Sequence, residues 1–171
     1  MAKPEIDIAD LIKEYQARTR KLVTIGTAES ATGGRIADRL TNVPASSDYF
    51  RGSLVAYSNE VKINVLGVRK ETIENYGAVS SQTATEMAEN GRRLLDVDIC
   101  VSNTGIAGPS GGSSEKPVGL FHFGLAAKDG SLSQIYIFQG NREENKREAA
   151  EAALGMLRQY LAQCISELKK G

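Results

Sequence analysis

Residues 21–43, KLVTIGTAESATGGRIADRLTNV, decide the fold class. The stretch opens with an apolar, β-branched run, KLVTIGTA (21–28), which the pattern predicts as a strand. ESATGG (29–34) then supplies a tight glycine-containing turn. GRIADRLTNV (34–43) reads as a helix that stops at Pro44. Strand, short turn and helix in succession open an α/β unit.

Working outward, Ile8, Leu11, Ile12 and Tyr15 fall at i, i+3, i+4 and i+7, which predicts an amphipathic first helix. SLVAY (53–57) predicts a second strand, followed by a short helix from about Asn59 to Leu66. Gly67 and Gly77 punctuate a linker and another short helix. Ala84, Met87, Ala88, Gly91 and Leu95 mark one face of a longer helix, and VDICVSN (97–103) predicts a third strand. Two more strands, VGLFHFGLAA and LSQIYIFQG, flank KDGS, a hairpin signal. From Ala149 to Leu168 apolar residues hold one helical face. The sum is a single α/β domain over residues 1–171, with a mixed, partly parallel sheet and helices on both faces in three layers.

Composition narrows the function classes. Lys+Arg and Asp+Glu are both 21, so a basic excess of the kind that binds nucleic acid is absent. No run approaches the roughly 18 apolar residues of a membrane span, and MAKPEIDIAD lacks the apolar core of a signal peptide. The expectation is a cytoplasmic protein with no nucleic-acid or membrane partner. The two cysteines, Cys100 and Cys164, read as reduced core thiols. With no His pair, no CxxC and no clustered carboxylates, no metal and no cofactor are expected.

Three segments carry candidate chemistry. In the first, Gly33 and Gly34 let a ligand approach the backbone. The helix start beyond them suits phosphate, and Ser30 and Thr32 add hydroxyls. The second pairs Pro44-Ala45-Ser46-Ser47 with Tyr57-Ser58-Asn59-Glu60-Val61-Lys62. The single histidine, His122, sits mid-strand and reads as structural, so a serine enzyme built from this chain needs lysine as its base. In the third, residues 103–112 (NTGIAGPSGG), backbone N–H groups can form an oxyanion or phosphate nest. In open α/β sheets ligands bind beyond the carboxyl ends of strands, so the three loops are expected to converge.

AESATGG (28–34), PASSDYFRGSLVAYSNEVKINVLGV (44–68), GAVSSQTATEMAENG (77–91) and TGIAGPSGGSSEKPVGL (104–120) together resemble the CinA C-terminal-domain family, from about residue 6 to 165. That family includes stand-alone deamidases of nicotinamide mononucleotide. The resemblance implies metal-free hydrolysis of the nucleotide's carboxamide to nicotinate mononucleotide and ammonia, in pyridine-nucleotide recycling. Carried over, it makes Ser47 the nucleophile, Lys62 its base and Tyr57 their neighbour. Ser30, Thr32, Gly33, Gly34, Thr104, Gly105, Ala107, Gly108 and Arg142 become substrate-binding, with Arg142 meeting the ligand's negative charge. Position alone favours Ser30 as nucleophile, because it occupies a strand-to-helix turn; the family pattern favours Ser47. Ala31 replaces the cysteine usual in the family's first motif. The alternative is a non-catalytic nucleotide-binding regulatory module linked to competence or DNA damage. The apolar stripe of the last helix suits packing on the sheet or on a second copy, and a homo-oligomer, a dimer first, is expected.

Overall fold

The computed structural model describes residues 3–168. Helix α1 (Pro4–Thr19) starts with proline at its amino end, where the missing N–H costs nothing. Strand β1 (Ile25–Glu29) leads into α2 (Arg35–Thr41). A short 3₁₀ turn, Ser46–Asp48, precedes β2 (Phe50–Val55). Three helices follow: α3 (Asn59–Asn64), α4 (Lys70–Tyr76) and α5 (Ser81–Leu94). Then come β3 (Ile99–Gly105), β4 (Leu120–Ala127), β5 (Gly130–Ile137) and the long α6 (Arg142–Leu168).

The strands form one sheet of order β2-β1-β3-β4-β5. β1 pairs in parallel with β2 and β3, while β4 runs antiparallel to both β3 and β5. β1, flanked by β2 and β3, is buried along its whole length, which suits the mostly apolar run read there. Ala127 pairs with Gly130, so Lys128 and Asp129 alone make the hairpin connection. The mixed sheet read from the sequence is therefore the one found.

Two cores cover the two faces. On one, α1, α2 and α6 bring Ile8, Ile12, Ile36, Leu154 and Leu157 against Ile25, Val101, Phe121 and Phe123. On the other, Met87 of α5 packs with Leu66 and Val68 against Ala28 and Cys100. The apolar stripe of α6 is consumed inside the first core, so it is not the surface for a second copy. Apolar side chains remain exposed on the edge strand instead, at Leu132, Ile135, Tyr136 and Ile137.

Several elements differ from expectation by a few residues. β2 starts at Phe50 and ends at Val55, because Ala56 and Tyr57 leave the sheet at its carboxyl end. Cys100 is buried as expected, but Cys164 is only half-buried on α6; both are free. His122 has its Nδ1 3.0 Å from the Ser81 hydroxyl, the satisfied structural histidine that its mid-strand position implied.

Candidate active site

Parallel strands place their following loops on one edge of the sheet, and parts of all three expected loops meet there, with residues 44–47 of the second lying elsewhere. The turn after β1 carries Ser30, closed by Gly33 N–H donating to Ser30 O at 3.0 Å. From the end of β2 the chain enters α3, whose start is capped by the Ser58 hydroxyl accepting from Val61 N–H at 3.2 Å. That cap sets Lys62 one turn in, pointing back under the β1 turn.

Lys62 is 2% exposed and Ser30 6%. Lys62 Nζ lies 2.8 Å from Ser30 Oγ, 3.0 Å from Ala56 O and 3.3 Å from Tyr57 O. An ammonium can donate to all three. A neutral amine keeps two N–H donors for the two carbonyls, and its lone pair is then left facing Ser30 Oγ. Burial lowers the Lys62 pKa to about 8, because the charged form loses hydration. A poised lysine against a serine hydroxyl can activate that hydroxyl as a nucleophile.

Arg142 is the first residue of α6, and a capping box fixes it there. The Asn141 side-chain oxygen accepts from the N–H groups of Glu143 and Glu144, and Asn141 N–H donates to the Glu144 carboxylate. Arg142 Nη1 donates to Gly108 O at 2.7 Å and Nη2 to the Tyr57 hydroxyl at 3.0 Å. Tyr57, Arg142 and the Gly105–Gly111 loop enclose a pocket of about 290 Å³ with Ser30 and Ala31 in its lining. A second cavity of about 280 Å³ contains Tyr15, Leu22, Tyr160 and Cys164 in its wall, with no comparable serine and lysine. Burial raises the Cys164 thiol, which works against thiolate chemistry there.

Other expected site residues lie elsewhere or face inward. Ser47 is exposed in the turn before β2. Its neighbour Tyr49 accepts from Ile25 N–H at the amino end of β1, whereas Ser30 follows the carboxyl end. Five residues of strand, roughly 16 Å at about 3.3 Å each, separate the two ends. The chain therefore pairs Lys62 with Ser30, and the expected Ser47–Lys62 pair does not form. Thr32 is fully buried; its hydroxyl donates to Glu29 at 2.7 Å and accepts from Asn103. Gly34 N–H also donates to Glu29, so the start of α2 is already filled by a carboxylate and is not open to a substrate phosphate. Gly33 is exposed on the flank of the turn. Thr104 turns its hydroxyl to Ala78 O at 2.8 Å.

Sequence reading missed Glu29, Asn103 and Asn145, all fully buried. Asn145 donates to Ala107 O at 3.1 Å and accepts from Gly140 N–H, tying the pocket loop to α6. A charged residue closing a buried strand whose only other polar side chain is Thr27 was the available signal for Glu29. Among the described residues, no three His, Cys, Asp or Glu side chains gather as a metal ion would require. Nor is any helix among them long and apolar enough to cross a membrane.

The fold and site define a three-layer α/β protein with a buried Ser–Lys pair at the carboxyl edge of a mixed sheet. By sequence, residues 8–161 match the CinA C-terminal domain, and the chain belongs to that family. It is 52% identical over 143 residues to a CinA-like protein of Chloroherpeton thalassium, covering 81% of this chain and 34% of that protein. With a CinA-like protein of a Sulfurihydrogenibium species it shares 43% over 162 residues, 94% of this chain and 40% of the other. The chain thus spans between a third and two fifths of the length of these curated relatives. Among solved structures, the competence/damage inducible protein of Agrobacterium tumefaciens superposes with a TM-score of 0.83 at 37% identity, covering 92% of this chain and 94% of that one. The competence or damage-inducible protein of Enterobacter asburiae gives 0.85 at 30%, covering 92% and 96%.

Proposed function

We propose that the chain is an amidohydrolase acting on nicotinamide mononucleotide, with Ser30 as nucleophile and Lys62 as general base. One observation carries the reading: the 2.8 Å contact between Ser30 Oγ and a lysine that is 2% exposed. The substrate comes from the family resemblance, and the placement of Arg142 at the pocket is compatible with a ligand bearing a phosphate.

Neutral Lys62 takes the Ser30 proton as Oγ adds to the carboxamide carbon. The oxyanion then faces the N–H groups of Ala107 and Gly108, for which the described residues supply no acceptor. Collapse breaks the C–N bond, and Lys62 returns the proton to the departing ammonia. Lys62 then takes a proton from water as its oxygen adds to the ester carbon; collapse breaks the bond to Ser30 Oγ, Lys62 returns the proton to that oxygen, and nicotinate mononucleotide leaves. Tyr57, through its hydroxyl, orients Arg142 toward the phosphate. Ser47 takes no part. The reaction uses no metal and no cofactor, and the working form is a homodimer.

The test is incubation of the pure protein with the mononucleotide, with assay of ammonia and nicotinate mononucleotide. Tight binding without ammonia would instead establish a nucleotide-binding regulatory module.

A further inference from the structure

Glu29 closes β1 with no exposed surface, yet it carries a carboxylate. Six donors surround that carboxylate: the hydroxyls of Thr27, Thr32 and Ser53 at 3.3, 2.7 and 3.4 Å, and the N–H groups of Gly34, Ile36 and Ala37 at 2.9, 3.2 and 2.9 Å. Every contact is one that the carboxylate accepts. The three N–H groups belong to the N-cap and first turn of α2, which have no other partners for them. Phosphate-binding loops put a ligand's anion in this position. Here the chain fills it with its own side chain, next in sequence to Ser30.

We propose that Glu29 is a positioning residue: a built-in anion that locks the 30–34 turn so that Ser30 Oγ faces Lys62 Nζ. This rests on Ser30 being the reactive serine. The coupling runs through Thr32, whose hydroxyl donates to Glu29 while accepting from Asn103 Nδ2, and whose N–H donates to Asn103 Oδ1 at 3.3 Å. The turn is therefore held on both sides, by β1 through Glu29 and by β3 through Asn103. A shift of about 1 Å at a reacting atom can cost on the order of 100-fold in rate. A carboxylate that only capped α2 would, when removed, lower stability and leave the folded fraction's chemistry intact.

The experiment uses the full chain as wild type, Glu29→Ala and Glu29→Gln, each checked for folding by thermal melting. The readouts are ammonia release and the rate at which phenylmethanesulfonyl fluoride labels Ser30, located by peptide mass spectrometry. In Glu29→Ala both rates fall on the order of 100-fold while KM stays within a few-fold. Sodium formate restores both rates saturably, and sodium chloride at equal ionic strength does not. Glu29→Gln, whose amide NH₂ faces N–H donors and leaves no space for formate, loses rate without rescue.

A folded Glu29→Ala that labels and turns over like wild type overturns the proposal, as does a loss that formate leaves unchanged. If the alanine variant does not fold, a folded Glu29→Gln with wild-type labelling overturns it. A wild type that labels at Ser30 but releases no ammonia defeats the deamidase reading alone, and the labelling comparison still decides the role of Glu29. A wild type that is not labelled at Ser30 overturns both.

Discussion

Arg142 and Tyr57 lie 85 residues apart in the chain, and the arginine Nη2 donates to the tyrosine hydroxyl at 3.0 Å. The pair joins the amino end of α6 to the segment that leaves β2, across the mouth of the pocket. The arginine's other terminal nitrogen holds the Gly108 carbonyl, so its guanidinium is fixed before any ligand arrives.

If this guanidinium holds the substrate's phosphate, it does so equally in ground and transition states. Arg142→Ala should then raise KM by roughly 10- to 150-fold, the equivalent of about 1.5–3 kcal/mol for a charged hydrogen bond, with kcat within a few-fold. Tyr57→Phe should raise KM less. Steady-state kinetics with the mononucleotide checks this, and a collapse of kcat at constant KM would place Arg142 in the chemical step.

The serine assignment has its own signature. Ser30→Ala and Lys62→Ala should each lower kcat by about 10³-fold or more, and the double variant should lose little beyond either single one. Ser47→Ala should stay within about two-fold of wild type. Single-turnover assays on folded variants decide it. An inactive Ser47→Ala beside an active Ser30→Ala reverses the roles.

The pH profile follows from Lys62. The base must be neutral to act, and burial sets its pKa at about 8. kcat/KM should therefore climb with pH and level off above about 8. Stability has a matching sign. The folded pKa lies below the ordinary 10.5, so the unfolded chain binds more protons between those values. Burying Lys62 thus costs stability at neutral pH, and the cost fades as pH rises from about 8 toward 10.5. Lys62→Met should be more stable than wild type at pH 7, with the gap narrowing at higher pH. Urea denaturation across that range measures it.

Exhaustive dialysis against EDTA should leave turnover unchanged. The motivation is the Ser30–Lys62 pair itself, which needs no Lewis acid to generate its nucleophile. Full loss on chelation, restored by a single divalent ion, would defeat the mechanism.

A dimer should appear by light scattering at micromolar concentration. β5 is an edge strand with no charged residue among Gly130–Ile137, and its exposed apolar side chains include Ile135 and Ile137. Monomeric proteins usually protect such edges with charge or proline. A monomeric wild type would refute the assembly.

Periodicity made the helices legible, α6 above all, because its 3.6-residue pattern and its packing agree. The alternation of strand and helix gave the sheet class for the same reason. What spacing along the chain did not resolve was which edge of the sheet a loop occupies. Ser47 precedes a strand and Ser30 follows one. In a parallel set those loops lie on opposite edges. The strand-to-helix position of Ser30 already pointed to it, while the family pattern pointed to Ser47; the pairing of Lys62 with Ser30 follows position. Glu29 stayed hidden for a different reason: half of its six donors are backbone N–H groups, which no residue pattern displays.

The two walls of the pocket differ in kind. Arg142 opens a helix that continues unbroken to Leu168 and carries much of the core, so it cannot relocate without dragging buried leucines along. The facing segment, 106–119, lacks regular secondary structure, and Pro109 to Glu115 are all exposed. One wall is a fixed post, the other an adjustable fence. A change in the shape of the pocket, whether by drift or by design, therefore has a cheap route through residues 109–115, with Arg142 left standing.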